Sequence, residues 1–147
     1  MMIVARTLIA AVSLFIGGSA LNAQQDQSGS VIPPENAEQH NVIVLRALDK
    51  ITARITELEI EIGKTIPFGT LEITARYCRT RPPIEPPETF GYLEIKDLKR
   101  NGERDRVFDG WMVASSPALN ALEHPVYDVW VINCKMVEAG ASSDSEK

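Results

Sequence analysis

Histidine and cysteine are scarce in this 147-residue chain, which has two of each. A transition-metal centre needs several convergent His, Cys or carboxylate ligands, and His40 and His124 fall in separate regions, so neither a metal nor a cofactor site is expected. No glycine-rich loop of the kind that cradles phosphate is present, and no Gly-x-Ser-x-Gly elbow. Excess positive charge is also missing. The formal net charge of −5 becomes −6 if residues 1–23, with Arg6, are removed, which argues against nucleic acid or an anionic membrane as a partner. Beyond residue 23 no apolar run approaches the ~20 residues of a membrane-spanning helix. Aromatics make up only 6%, yet Phe90, Tyr92, Phe108, Trp111, Tyr127 and Trp130 all fall in the second half, where the densest core is expected.

What is present begins with an export signal. Arg6 precedes an apolar run from Leu8 to Ile16, and Gly17-Gly18-Ser19-Ala20 supplies small residues. Residues 1–23 therefore read as a signal peptide cut after Ala23, or after Ala20 with Gly18 at the third position back, giving a periplasmic or secreted protein. Residues 24–41 are polar, contain Pro33-Pro34, and read as a flexible linker. A β-rich domain is expected over 42–137, followed by a disordered tail at 138–147.

Within that domain the ruling period is two. Leu58, Ile60 and Ile62 alternate with Glu57, Glu59 and Glu61, and Leu71, Ile73 and Ala75 alternate with Glu72, Thr74 and Arg76. Ile51, Ala53 and Ile55 form an earlier run whose parity slips before Leu58, which suggests a bulge near Thr56; a short helix over 42–55 is the alternative. Asn101-Gly102 marks a hairpin turn. With two turn residues, Asp97 would face Arg106, Tyr92 would face Trp111, and Lys99 would face Arg104. The last strand, Val126 to Cys134, is apolar on both faces and reads as central. The fold class is all-β: a small antiparallel β-sandwich or partly open barrel of six to eight strands, with one short helical turn near Pro117–Leu122.

Cys78 and Cys134 are expected to pair, as cysteines of an exported chain do; a redox pair is disfavoured without a Cys-x-x-Cys helix start. Ser115, Ser116, His124 and Asp128 are the residue types of a serine hydrolase, the alternative function. The plainer reading is that a serine caps the turn and His124 is a hydrogen-bonded corner. Residues 79–90 contain four prolines in six positions. This stiff segment is the leading candidate for recognition, through Arg79, Arg81, Pro82, Pro83 and Glu85 with the nearby rings of Tyr92 and Trp111, of an envelope protein or glycan. Otherwise it is a strap across one end of the domain. A second candidate surface is the basic cluster Lys96, Lys99, Arg100, Arg104 and Arg106.

The segments LDKITARI (48–55), FGTLEITARYC (68–78), PPIEPPET (82–89) and GWMVASSPALNALEHPVYDVWVINC (110–134) resemble the exported alphaproteobacterial proteins of domain of unknown function family number 2155. The resemblance covers residues 45–135 and includes both cysteine positions. It implies a cell-envelope location and one compact domain, with no catalytic residues to carry over.

Overall fold

The computed structural model describes residues 31–138. The signal peptide, the linker up to residue 30 and the tail beyond residue 138 lie outside the described residues.

Alternation of apolar and polar residues builds strands β1 (Glu38–His40), β2 (Val42–Asp49), β3 (Arg54–Glu61), β4 (Thr65–Phe68), β5 (Leu71–Thr80), β6 (Thr89–Leu98), β7 (Arg104–Val113) and β8 (Tyr127–Lys135). All pairings are antiparallel. The larger sheet has the order β1-β5-β6-β7, with β4 sharing the β5 edge, and the smaller has the order β3-β2-β8. The longer strands bury one face against the opposite sheet, which makes the two-layer all-β sandwich that the alternation predicts. The core is aliphatic, built on Ile43, Leu45, Ile60, Leu71, Ile73, Leu93, Ile95 and Val131, each at most 1% exposed. Of the six clustered aromatics only Phe90 and Phe108 are buried, so the second half contributes to the core chiefly through aliphatic side chains.

Other expectations change for local reasons. Glu38–His40, read as linker, forms β1 because residues 78–80 of β5 offer it a free edge. The parity slip before Leu58 is a chain reversal at residues 50–53, with Ala53 at φ 53 and Asp49 Oδ1 accepting the Ile51 and Thr52 N–H groups. Neither a bulge at Thr56 nor a helix over 42–55 occurs. β8 is an edge strand, paired only with β2. Its two-sided apolarity is served instead by a surface groove, where Asp128, Val129 and Trp130 lie beside Pro117, Ala118, Ala121 and Leu122. The helical turn is a 3₁₀ turn over Pro117–Asn120, and Ser116 at its cap position makes no side-chain capping bond.

The Asn101-Gly102 hairpin has a three-residue turn. Lys99 N–H bonds Glu103 O, Gly102 N–H bonds Lys99 O, and Gly102 takes φ +86. The extra turn residue sets Asp97 opposite Asp105 and Lys96 opposite Arg106, and a bulge at Val107 then shifts the register back, so Tyr92 still faces Trp111.

Two further bulges decide where chemistry goes. In β5 the register steps from Ala75–Leu93 to Tyr77–Tyr92, so Arg76 is the extra residue. Unbroken alternation would have sent Tyr77 inward with Leu71, Ile73 and Ala75; the bulge turns Tyr77 out and Cys78 in. In β8 the step from Asn133 to Val131 makes Ile132 the extra residue and turns Cys134 in after Val129 and Val131. The two cysteines meet between the sheets as a disulfide, Cα atoms 5.7 Å apart. Gly91, the β6 partner of Cys78, leaves room for Ile43 and Val131 of the facing sheet. A Cβ there would come within 2.5 Å of Ile43 Cδ1 and 2.6 Å of Val131 Cγ2. Gly91→Ala is therefore expected to destabilise the domain by roughly 1–2 kcal/mol through overpacking, read from the urea unfolding midpoint.

Candidate functional site

The outer face of the larger sheet carries three rings in one cross-strand row, Tyr77–Tyr92–Trp111. Tyr77 stacks on Trp111 at 6.0 Å, and Tyr92 meets Trp111 edge-on at 5.3 Å. Tyr77 is 46% exposed, and the Arg79 guanidinium lies over its ring, 6.0 Å from the centroid. The Tyr92 hydroxyl donates to Asp109 Oδ1 at 2.8 Å, which together with burial raises the phenol above its usual range. Below the rings runs a charged ladder. Arg76 bonds Glu94 at 2.7 Å and holds that carboxyl below its ordinary value, against the opposing effect of burial. Arg106 pairs with Asp109, and Lys96 with Glu94. The basic cluster is thus largely neutralised in place, with Lys99 on Asp97 and Arg104 on Glu72.

Two residues beyond Arg79 the proline-rich loop begins. Arg81 N–H bonds Glu88 O, and Glu85 N–H bonds Pro82 O across a tight turn. Glu85 also accepts from Asn36 Nδ2 at 2.9 Å. Glu88 accepts from the backbone N–H groups of Thr89 and Ser115 and from the Ser115 hydroxyl. These ties hold the loop while its tip stays in solvent: Pro83, Pro86 and Pro87 are exposed and Ile84 is 93% exposed. A strap over the core would bury such a side chain. At the foot of the loop Phe90 and Val113 pair across β6 and β7, both buried.

The structure therefore gathers Arg79, Tyr92 and Trp111 into one cluster and places Arg81, Pro82, Pro83 and Glu85 at the end of the same β5–β6 hairpin. Tyr77, the ring that links Arg79 to Trp111, escapes sequence reasoning because only the bulge turns it outward.

The hydrolase residues do not converge. Ser115 is held by Glu88, and Asp128 pairs with Lys50 at 2.8 Å. His124 is a buried corner: its Nδ1 accepts the Val126 and Tyr127 N–H groups at 3.2 and 3.1 Å, which leaves the proton on Nε2, 3.4 Å from Asp97 Oδ2. Asp97 also accepts from Lys99 at 2.7 Å and from Thr70 at 2.5 Å. Those two bonds, Lys99 first, outweigh burial and lower its pKa to about 2.

No helix among the described residues is long and apolar enough to cross a membrane. The family described as "Uncharacterized protein conserved in bacteria (DUF2155)" matches residues 43–134, which run from the first fully buried residue of β2 to the second half-cystine. "Uncharacterized protein RP359" of Rickettsia prowazekii (strain Madrid E) is 33% identical over 90 residues, covering 60% of this chain. The match takes in 57% of that relative, so the chain spans a little over half its length. No solved structure matches.

Proposed function

We propose that this chain, which belongs to the conserved bacterial family DUF2155, is an extracytoplasmic binding module of the cell envelope that recognises a protein or glycan partner. In this reading residues 1–23 direct export and are removed, residues 24–41 act mainly as a tether, and the β-sandwich presents the binding surface. The observation that carries it is the loop at 81–88: a stiff segment, tied at several points, that holds Ile84 almost wholly in solvent. A rigid exposed segment loses little entropy on binding. The rings of Tyr77, Tyr92 and Trp111 add a preformed apolar platform beside it, rimmed by Arg79, Asp109 and Glu94. An inter-sheet disulfide suits an oxidising compartment.

Chemical crosslinking in intact bacteria followed by mass spectrometry tests the loop directly. A variant with Pro82, Pro83, Pro86 and Pro87 replaced by Ala is expected to fold and to lose most of the crosslinked partner. Recovery of the same partners at full yield would refute the loop as the recognition element.

A further inference from the structure

At the opposite end of β5 from the loop, the sandwich opens into a cavity of about 240 Å3 lined by Asp49, Arg54, Thr56, Phe68, Gly69 and Tyr127. Its position is set by the residue pattern. The inward face of β2 is apolar through Ile43, Leu45 and Ala47 and then presents Asp49. On β3 the same parity runs from buried Ile60 through half-buried Leu58 and Thr56 to Arg54, which is exposed. Register places Arg54 and Tyr127 on either side of Asp49, so these three form the end row of the smaller sheet. Polar groups thus occupy positions that elsewhere on the same strands build the core.

Asp49 is partly committed to its own turn, where Oδ1 accepts the Ile51 and Thr52 N–H groups, but the row makes few bonds across itself. Asp49 and Arg54 are direct cross-strand partners of opposite charge, yet among the described residues no ion pair within 4.0 Å joins them; they attract only through space. The Tyr127 hydroxyl makes no hydrogen bond among the described residues, although its ring is fixed with care. It stacks on His124 at 5.3 Å, with 16° between the planes, and meets Phe68 edge-on at 5.4 Å. Gly69, at φ +58, lies so close that a Cβ would come within 2.2 Å of the phenol oxygen, so a side chain there would displace the hydroxyl from the cavity wall. The corner network of His124 and Asp97 therefore buttresses a ring whose polar end faces the cavity.

We infer that this cavity binds a small α-amino acid as its zwitterion. Arg54, with the Thr56 and Tyr127 hydroxyls, offers donors to the carboxylate, and Asp49 accepts from the ammonium. Asp49 and Arg54 face each other across β2 and β3 without an ion pair, which sets an acceptor beside a donor for a ligand that carries both charges. Phe68 and the Tyr127 ring form the apolar wall for a short side chain, and the cavity is below the size usual for larger ligands. This site is distinct from the proposed recognition loop.

Isothermal titration of the full disulfide-bonded domain with glycine and L-alanine, beside acetate and methylammonium, tests it. The amino acids are expected to bind saturably at one site, with acetate and methylammonium each at least about tenfold weaker. Arg54→Gln and Asp49→Asn should each weaken binding about tenfold. Tyr127→Phe should weaken it about threefold without lowering the unfolding midpoint, since its hydroxyl supports nothing inside the protein. The quadruple proline variant should bind as the parent does, which separates this site from the loop. Acetate binding as tightly as L-alanine, unchanged binding by the Arg54 variant, or no saturable heat up to about 10 mM would overturn the inference.

Discussion

Replacing both Cys78 and Cys134 by Ala is expected to lower the unfolding free energy by roughly 4 kcal/mol. The bridge spans 56 positions, and closing a loop of that length restricts the denatured chain by about that amount in the chain-entropy model. The loss is a large share of the 5–15 kcal/mol that holds a typical domain. It also reaches both layers, because the bond joins β5 of one sheet to β8 of the other. Urea unfolding of the oxidised parent, the reduced parent and the double variant measures it. The reduced parent should fall to the level of the variant, and the variant should not respond to reductant. A difference below about 1 kcal/mol would show that the sheets hold together without the bridge.

Asp97→Ala should cost roughly 3 kcal/mol. Among the described residues Asp97 is the buried charged residue, facing inward on β6, and its removal leaves the buried His124 Nε2–H without its acceptor. Lys99, 43% exposed, contributes little to that sum because solvent screens it. The same group sets a pH dependence. Its carboxyl has a pKa of about 2 in the folded chain against an ordinary 3.8, so the folded state stays ionised where the unfolded state takes up a proton. The contribution, roughly 2 kcal/mol, is complete above about pH 4 and is lost as pH falls toward 2. Asp97→Asn should flatten the stability profile between those limits. His124→Ala should destabilise through the same corner, with no loss of any hydrolytic activity.

Much of this architecture is legible in the residue pattern, because the period-two runs at 57–62 and 71–76 report buried faces directly. The cysteine pairing and the Tyr92–Trp111 register are legible too. The hidden part depends on backbone choices that the pattern does not encode. The extra residues Arg76, Val107 and Ile132 are selected by the fit between strands, and each flips the parity of the residues after it. Extrapolated alternation would therefore misplace Tyr77, and a two-residue turn would set Asp97 opposite Arg106, where the three-residue turn sets it opposite Asp105. The strand at 38–40 is hidden because its residues are polar and show no apolar alternation, and it pairs through its backbone and a His40–Thr80 side-chain bond. The cavity at Asp49, Arg54 and Tyr127 is hidden because its residues are dispersed in sequence and meet only through register. Within the candidate recognition surface, composition points to the loop and to Arg79, Tyr92 and Trp111, while only the structure shows that the loop tip stands clear of the core.

A photo-crosslinking amino acid placed at position 84 in living bacteria tests the binding reading most directly, with position 57 on the outer edge strand as the control. The account predicts a discrete adduct from position 84, absent from position 57 and diminished by Trp111→Ala. No adduct from position 84, or the same adducts from both positions, would contradict it.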